Sequence, residues 1–160
     1  MPSATGWSEP VPSATPESAP AFAPPLQGGC LCGAVRYEVA AGTLGAIVLC
    51  HCSQCRKAQG SAFAANAPVR AADFRLLAGA DVLRAHASSP GKWRSFCGRC
   101  GSPIHSRRDG APEWVRLRIG TLDTPIAARP RAHIHVASKA VWWDIGDELP
   151  QYPQTEPGRR

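Results

Sequence analysis

Seven cysteines fall into three short motifs, and they constrain this chain more than any other feature. The motifs are Cys30-Leu31-Cys32, Cys50-His51-Cys52-Ser53-Gln54-Cys55 and Cys97-Gly98-Arg99-Cys100. An odd number of cysteines rules out a fully paired set of disulfides. C-x-C and C-x-x-C spacings let two thiolates reach one ion at about 2.3 Å, the usual zinc–sulfur distance. Gly33 and Gly101 follow two of the motifs, where glycine permits the positive φ of a tight turn whose amides point at sulfur. These two glycine-supported pairs make a closed structural set of four, Cys30, Cys32, Cys97 and Cys100.

Cys50, Cys52 and Cys55 remain, and three ligands with an open fourth position is the pattern of a catalytic zinc. The expectation is two zinc ions per chain. Four-plus-three suits two mononuclear sites better than an iron–sulfur cluster. A histidine closing the second site is the structural alternative. His51 is nearest in sequence, but neighbours in a strand point to opposite faces. His133 and His135 share a face at i, i+2 and are a second pair able to bind metal.

The rest of the chain reads as mainly β. Val35, Tyr37 and Val39 alternate with Arg36 and Glu38, the period of a half-buried strand. Further strands are expected at 47–49, 61–67, 74–77, 82–87, 93–96, 104–107, 114–119 and 133–136, with Gly and Pro between them. One short helix is expected over 53–59. It places Cys55 near its start, with Arg56 and Lys57 beside it.

Residues 1–25 hold seven of the sixteen prolines and no Lys or Arg, and read as a disordered tail. A zinc-binding domain is expected over 26–153 and a flexible C-terminus over 154–160, the Pro-rich stretch 149–160 being irregular. No run approaches the roughly 20 apolar residues of a membrane span, and the N-terminus lacks the pattern of a secretory signal. Free thiols then imply a reducing, cytoplasmic setting.

Three thiolates on Zn²⁺ leave a net charge of −1, which weakens its power to ionise water compared with a neutral three-histidine site. A sulfur-rich site suits a thiol held in the fourth position better than hydrolysis. No H-E-x-x-H is present, nor H-x-E with P-C-x-x-C, which disfavours zinc proteases and nucleobase deaminases.

The segment 28–37, Gly-Gly-Cys-Leu-Cys-Gly-Ala-Val-Arg-Tyr, resembles the opening of the glutathione-dependent formaldehyde-activating enzymes. Cys50-His51-Cys52-Ser53-Gln54-Cys55-Arg56 and Phe96-Cys97-Gly98-Arg99-Cys100-Gly101-Ser102 are similar to that family's central motifs. Gly120-Thr121-Leu122-Asp123 and Ser138-Lys139-Ala140-Val141-Trp142-Trp143 are similar to its later segments. The resemblance covers about 27–153. It implies a β-tent fold of short antiparallel strands with zinc-binding turns. It also implies S-(hydroxymethyl)glutathione synthase activity, a carbon–sulfur lyase in reverse, with the zinc of Cys50, Cys52 and Cys55 activating the thiol toward formaldehyde.

The expected partners are a small thiol such as glutathione and an aldehyde. Glutathione is an anion overall, so a basic or aromatic wall is expected from Arg56, Lys57, Lys139, Trp142 or Trp143. The competing reading is a noncatalytic zinc-stabilised binding module, motivated by +8 outside the acidic tail; a third is a thiol redox sensor. The formal net charge is +6, but seven thiolates and two zinc ions lower it to about +3, which weakens the case for nucleic acid.

Overall fold

A computed structural model describes residues 25–158. The expected tail lies outside them, apart from Pro25. In chain order the elements are β1 (Leu26–Gly29), β2 (Arg36–Val39), β3 (Ile47–Cys50), α1 (Ser53–Gln59), β4 (Ala64–Arg70), β5 (Phe74–Ala78), β6 (Leu83–Ser89) and β7 (Lys92–Cys97). They continue with β8 (Pro103–Arg108), β9 (Ala111–Arg118), β10 (Pro130–Ile134) and β11 (Gln151–Tyr152).

The strands form a three-stranded sheet, β1-β2-β5, and an eight-stranded sheet, β11-β10-β3-β4-β9-β8-β7-β6. The mainly β expectation holds. Most pairings are antiparallel, but β10 runs parallel to both β3 and β11. β3 is buried at all four positions, as expected of a strand covered on both faces.

Alternation in β2 does what its sequence implies. Val35, Tyr37 and Val39 are fully buried, while Arg36 and Glu38 are half-buried. Each such side chain contributes about 1.5–3 kcal/mol by leaving water. The Tyr37 hydroxyl lies 2.8 Å from Thr121 Oγ1, so the buried phenol keeps a polar partner.

Two hydrophobic clusters result, and each carries one group of cysteines. Val35, Tyr37, Val39, Ile104 and Leu117 surround Cys30 and Cys97. Val48, Ala64, Ala132 and Ile134 surround Cys50 and Cys55. Cys32 is exposed and Cys52 and Cys100 are partly buried, so each cysteine group sits at the edge of a packed core.

Several boundaries differ from expectation. The strand expected from residue 61 starts at Ala64, because the Ser61 hydroxyl donates to Phe63 O at 2.8 Å and closes a local turn instead. The strand expected over 133–136 ends at Ile134, because His135 turns to φ 58°. The irregular C-terminal stretch contains β11. Proline has no N–H to give a ladder, but its carbonyl accepts: His133 N–H donates to Pro150 O at 2.8 Å and Ala137 N–H to Pro153 O at 3.3 Å. Beyond 153, Glu156 is buried and pairs with Arg131 at 2.9 Å.

Candidate functional site

The four cysteines of the first group come from two turns. Cys30 follows β1 and Cys32 sits in the turn toward β2; Cys97 ends β7 and Cys100 sits in the turn toward β8. Their sulfurs all lie within 4.8 Å of one another. Cys30 Sγ is 3.5 Å from Cys32 Sγ, and Cys32 Sγ is 3.8 Å from Cys97 Sγ. A tetrahedron of sulfurs about 2.3 Å from zinc has edges of about 3.8 Å, so this donor set fits the ion.

The turns also supply donors to sulfur. Val35 N–H donates to Cys30 Sγ at 3.2 Å, and Ser102 Oγ lies 3.3 Å from Cys100 Sγ. The Ser102 hydroxyl and amide bring the Cys100 thiol down to about 5. Burial works against ionisation of Cys30, but the Val35 amide together with the Cys32 and Cys97 sulfurs outweighs it and the thiol is lowered. Gly33 and Gly101 both have φ of +76°. An added Cβ would meet nothing within 4 Å at either position, so only the left-handed backbone asks for glycine there.

The second group is built where β3 runs into α1. Cys50 ends the strand, Cys52 caps the helix, and Cys55 stands in its first turn. Cys55 N–H donates to Cys52 Sγ at 3.3 Å, so one of these sulfurs replaces the hydroxyl of an ordinary helix cap. The three sulfurs lie within 4.8 Å of one another. Hydrogen bonds from Cys50 and Cys52 hold the Cys55 thiol far below its usual range, and the Arg118 and Arg94 guanidiniums add to this. The Cys52 and Cys55 sulfurs push Cys50 up. Arg94 Nη1 and Nη2 lie 3.8 and 3.9 Å from the Cys55 sulfur. All seven cysteines are free thiols, and both groups can hold a metal ion.

The two groups differ in what lies beside them. Cys50, Cys52 and Cys55 open on a cavity of about 380 Å³, and the first four cysteines do not line it. Its wall carries Lys92, Arg94, Arg108, Arg116 and Arg118. β7, β8 and β9 are neighbours, with Lys92 opposite Arg108, and Arg94 opposite Ser106, which is opposite Arg116. Arg118 stands opposite Asn66 on β4. Cross-strand partners share a face, so one sheet face presents the cations together. Burial lowers the Lys92 ammonium to about 8, helped by Arg116, Arg108, Arg118 and Arg94.

The basic or aromatic wall expected from Arg56, Lys57, Lys139, Trp142 and Trp143 is not where the cavity lies; none of the five lines it. Lys139 Nζ donates to Trp143 O at 2.6 Å, and Trp143 packs edge-on to Phe63 at 5.9 Å. Trp142 is 67% exposed. Four residues of the wall had a signal in the sequence: Lys92-Trp93-Arg94, at the start of an expected strand, and Arg116-Leu117-Arg118, within another, place cations at i, i+2.

The histidines do not join either cysteine group among the described residues. His51 points away from its flanking cysteines and pairs with His133, Nε2 to Nδ1 at 2.8 Å. The expected sharing of a face by His133 and His135 fails at the left-handed turn: His133 binds Asp147 at 3.0 Å, whereas His135 lines the cavity. No helix among the described residues is long and apolar enough to cross a membrane.

Comparison with known proteins matches this architecture. Residues 25–138 match the family model described as glutathione-dependent formaldehyde-activating enzyme. A Halomonas elongata protein bearing that family name is 33% identical over 128 residues, covering 75% of this chain and 80% of the relative. A crystal structure of a Rhodobacter sphaeroides protein has the same fold, with a TM-score of 0.54 at 30% identity over 78% of this chain and 98% of that one. The cysteine motifs, the two-sheet fold and these matches agree, and the chain belongs to the glutathione-dependent formaldehyde-activating enzyme family.

Proposed function

We propose that this protein is a zinc-dependent carbon–sulfur lyase of the S-(hydroxymethyl)glutathione synthase type, working in the cytoplasm on a small thiol such as glutathione and on formaldehyde. The observation that carries the reading is the asymmetry of the two cysteine groups. Four sulfurs form a closed set at the edge of the main core, and three form an open set on the floor of a cation-walled cavity.

In this reading Cys30, Cys32, Cys97 and Cys100 hold a structural zinc that ties the start of β2 to the β7–β8 turn. Cys50, Cys52 and Cys55 hold the second ion. Zinc there supplies a soft, weakly acidic centre at which a thiol is stable as its thiolate. The cations of the wall attract the anionic thiol and orient it with its sulfur toward Cys55. Arg94 and Arg118 stabilise negative charge at that end of the cavity.

The reaction is an addition without change of oxidation state. A bond forms between the thiol sulfur and the formaldehyde carbon, the carbonyl π pair moves to oxygen, and the proton given up by the thiol ends on that oxygen. The reverse breaks the carbon–sulfur bond and returns both reactants. Holding the two molecules together in a cavity supplies the main acceleration such an addition needs.

Exchange NMR on glutathione and formaldehyde tests the reading. Zinc-loaded protein should speed exchange between free and hydroxymethylated thiol, and Cys55→Ser should remove the acceleration. No acceleration by zinc-loaded wild type would sink the assignment of glutathione as the thiol.

A further inference from the structure

The anionic part of the substrate can be read from the same cavity, an inference that rests on the thiol chemistry proposed above. Five cations line it, and no Asp or Glu does so among the described residues. Arg118 is only 3% exposed. Its Nε is buried with no hydrogen-bond partner, and no ion pair to it is found among the described residues. Arg94 Nε is likewise buried and unpartnered, its other two nitrogens reaching Cys55 Sγ and Gln54 Oε1.

Folding gives no reason for this arrangement. Like charges facing one another across strands destabilise a sheet, and a buried guanidinium without a counter-charge carries a desolvation cost. Even with three thiolates on a divalent ion, the floor offers one negative charge against those of Lys92, Arg94, Arg108 and Arg118. The missing charge must come from a ligand. At about 380 Å³ the cavity is at the small end of ligand sites. A nucleic acid duplex is far too large for it.

We propose that the cavity selects a thiol whose far end carries two or more oxyanions, as carboxylate or phosphate, and no ammonium group. Glutathione meets half of this description. Its two carboxylates match the wall, but its α-ammonium would enter a cavity with five cations and no carboxylate to receive it. A dicarboxylate thiol or a phosphorylated thiol, each lacking an amine, fits the charges better.

Binding of thioethers tests the wall apart from turnover, because a methylated sulfur gives no thiolate. Calorimetry on zinc-loaded protein should find N-acetyl-S-methylglutathione bound about tenfold more tightly than S-methylglutathione. The preference should shrink to less than about twofold in Arg118→Gln, with partial return in Arg118→Lys. If Arg118→Gln does not fold, Arg94→Gln serves, since that side chain is less buried. Methylthiosuccinate and 2-(methylthio)ethyl phosphate separate carboxylate from phosphate recognition; the tighter of the two names the oxyanion. Equal or weaker binding of the N-acetyl compound overturns the proposal, as does failure of both amine-free anions to bind. Exchange NMR on the matching thiols keeps the two readings apart. Absence of exchange with every thiol, alongside the binding preference, refutes the lyase reading and leaves the ligand class standing.

Discussion

His51 Nε2 lies 2.8 Å from His133 Nδ1, and this contact ties the end of the strand that carries Cys50 to the neighbouring strand β10. His133 Nε2 reaches Asp147 Oδ1 at 3.0 Å, and Leu149 N–H donates to the same carboxylate oxygen. The Leu149 amide and then His133 hold the Asp147 carboxyl below its usual range. When Asp147 accepts from Nε2–H, a singly protonated His133 accepts at Nδ1, so His51 donates through Nε2. His51 is fully buried between two cysteines of the open group.

Removing the middle of this chain leaves a buried donor without its acceptor. His133→Ala should therefore cost about 1–3 kcal/mol, measured by denaturant unfolding. Asp147→Asn should cost less, because the Asp147 side chain is 50% exposed and water can replace it. Equal losses for the two variants would contradict this chain.

The two cysteine groups should fail differently. Cys97 is fully buried among Val35, Ile104 and Leu117. Cys97→Ser should lower Tm by more than about 10 °C and release one zinc. Cys55→Ser should also release one zinc but leave Tm much closer to wild type, with activity lost. Zinc analysis and calorimetry on the same samples check both, and a large Tm loss in Cys55→Ser alone would reverse the assignment of roles.

His105 gives a pH dependence of stability. It is 9% exposed, its Nδ1 has no partner, and its ring stands edge-on to Phe74 at 5.1 Å. Burial, with Arg118 and Arg107, pushes its pKa down to about 4 from 6.5. Between these values the unfolded chain binds a proton that the folded chain does not. Stability is complete above about 6.5 and falls as pH drops toward 4, by at most about 3 kcal/mol. His105→Phe should flatten that part of the stability–pH curve relative to wild type. An unchanged slope would refute the role of His105.

Lys92 should set the upper pH limit of anion binding. Its ammonium, lowered to about 8 by burial and the four arginines, is charged below that value and neutral above it. Affinity for an anionic thioether should therefore weaken as pH rises from 7 to 9. In Lys92→Met it should be weaker at pH 7 and change little over that range. A wild-type affinity that is flat across pH 8 would show that Lys92 does not face the ligand.

The residues whose roles depend on near neighbours were legible in the sequence. α1 occupies 53–59 as expected, because Cys52 caps it and Cys55 takes the next turn. The four-plus-three division of the cysteines is reproduced by their sulfur positions. What depends on pairing between distant strands was not legible. β1, Leu-Gln-Gly-Gly, has no alternation of its own and exists by pairing with β2, Leu26 against Val39. β11 is two residues beside prolines and needs a parallel partner. The cations of the cavity converge only once the register of β7, β8 and β9 is set, whereas sequence proximity points to Arg56 and Lys57 beside Cys55.

The most direct measurement of the central claim is zinc K-edge X-ray absorption on the loaded protein, before and after a thiol is added. Four sulfurs on one ion and three on the other give a mean of about 3.5 sulfur neighbours per zinc, rising to about 4 as the substrate sulfur joins the open group. The rise should vanish in Cys55→Ser. A mean that starts at 4, or that does not change with saturating thiol, would contradict the account.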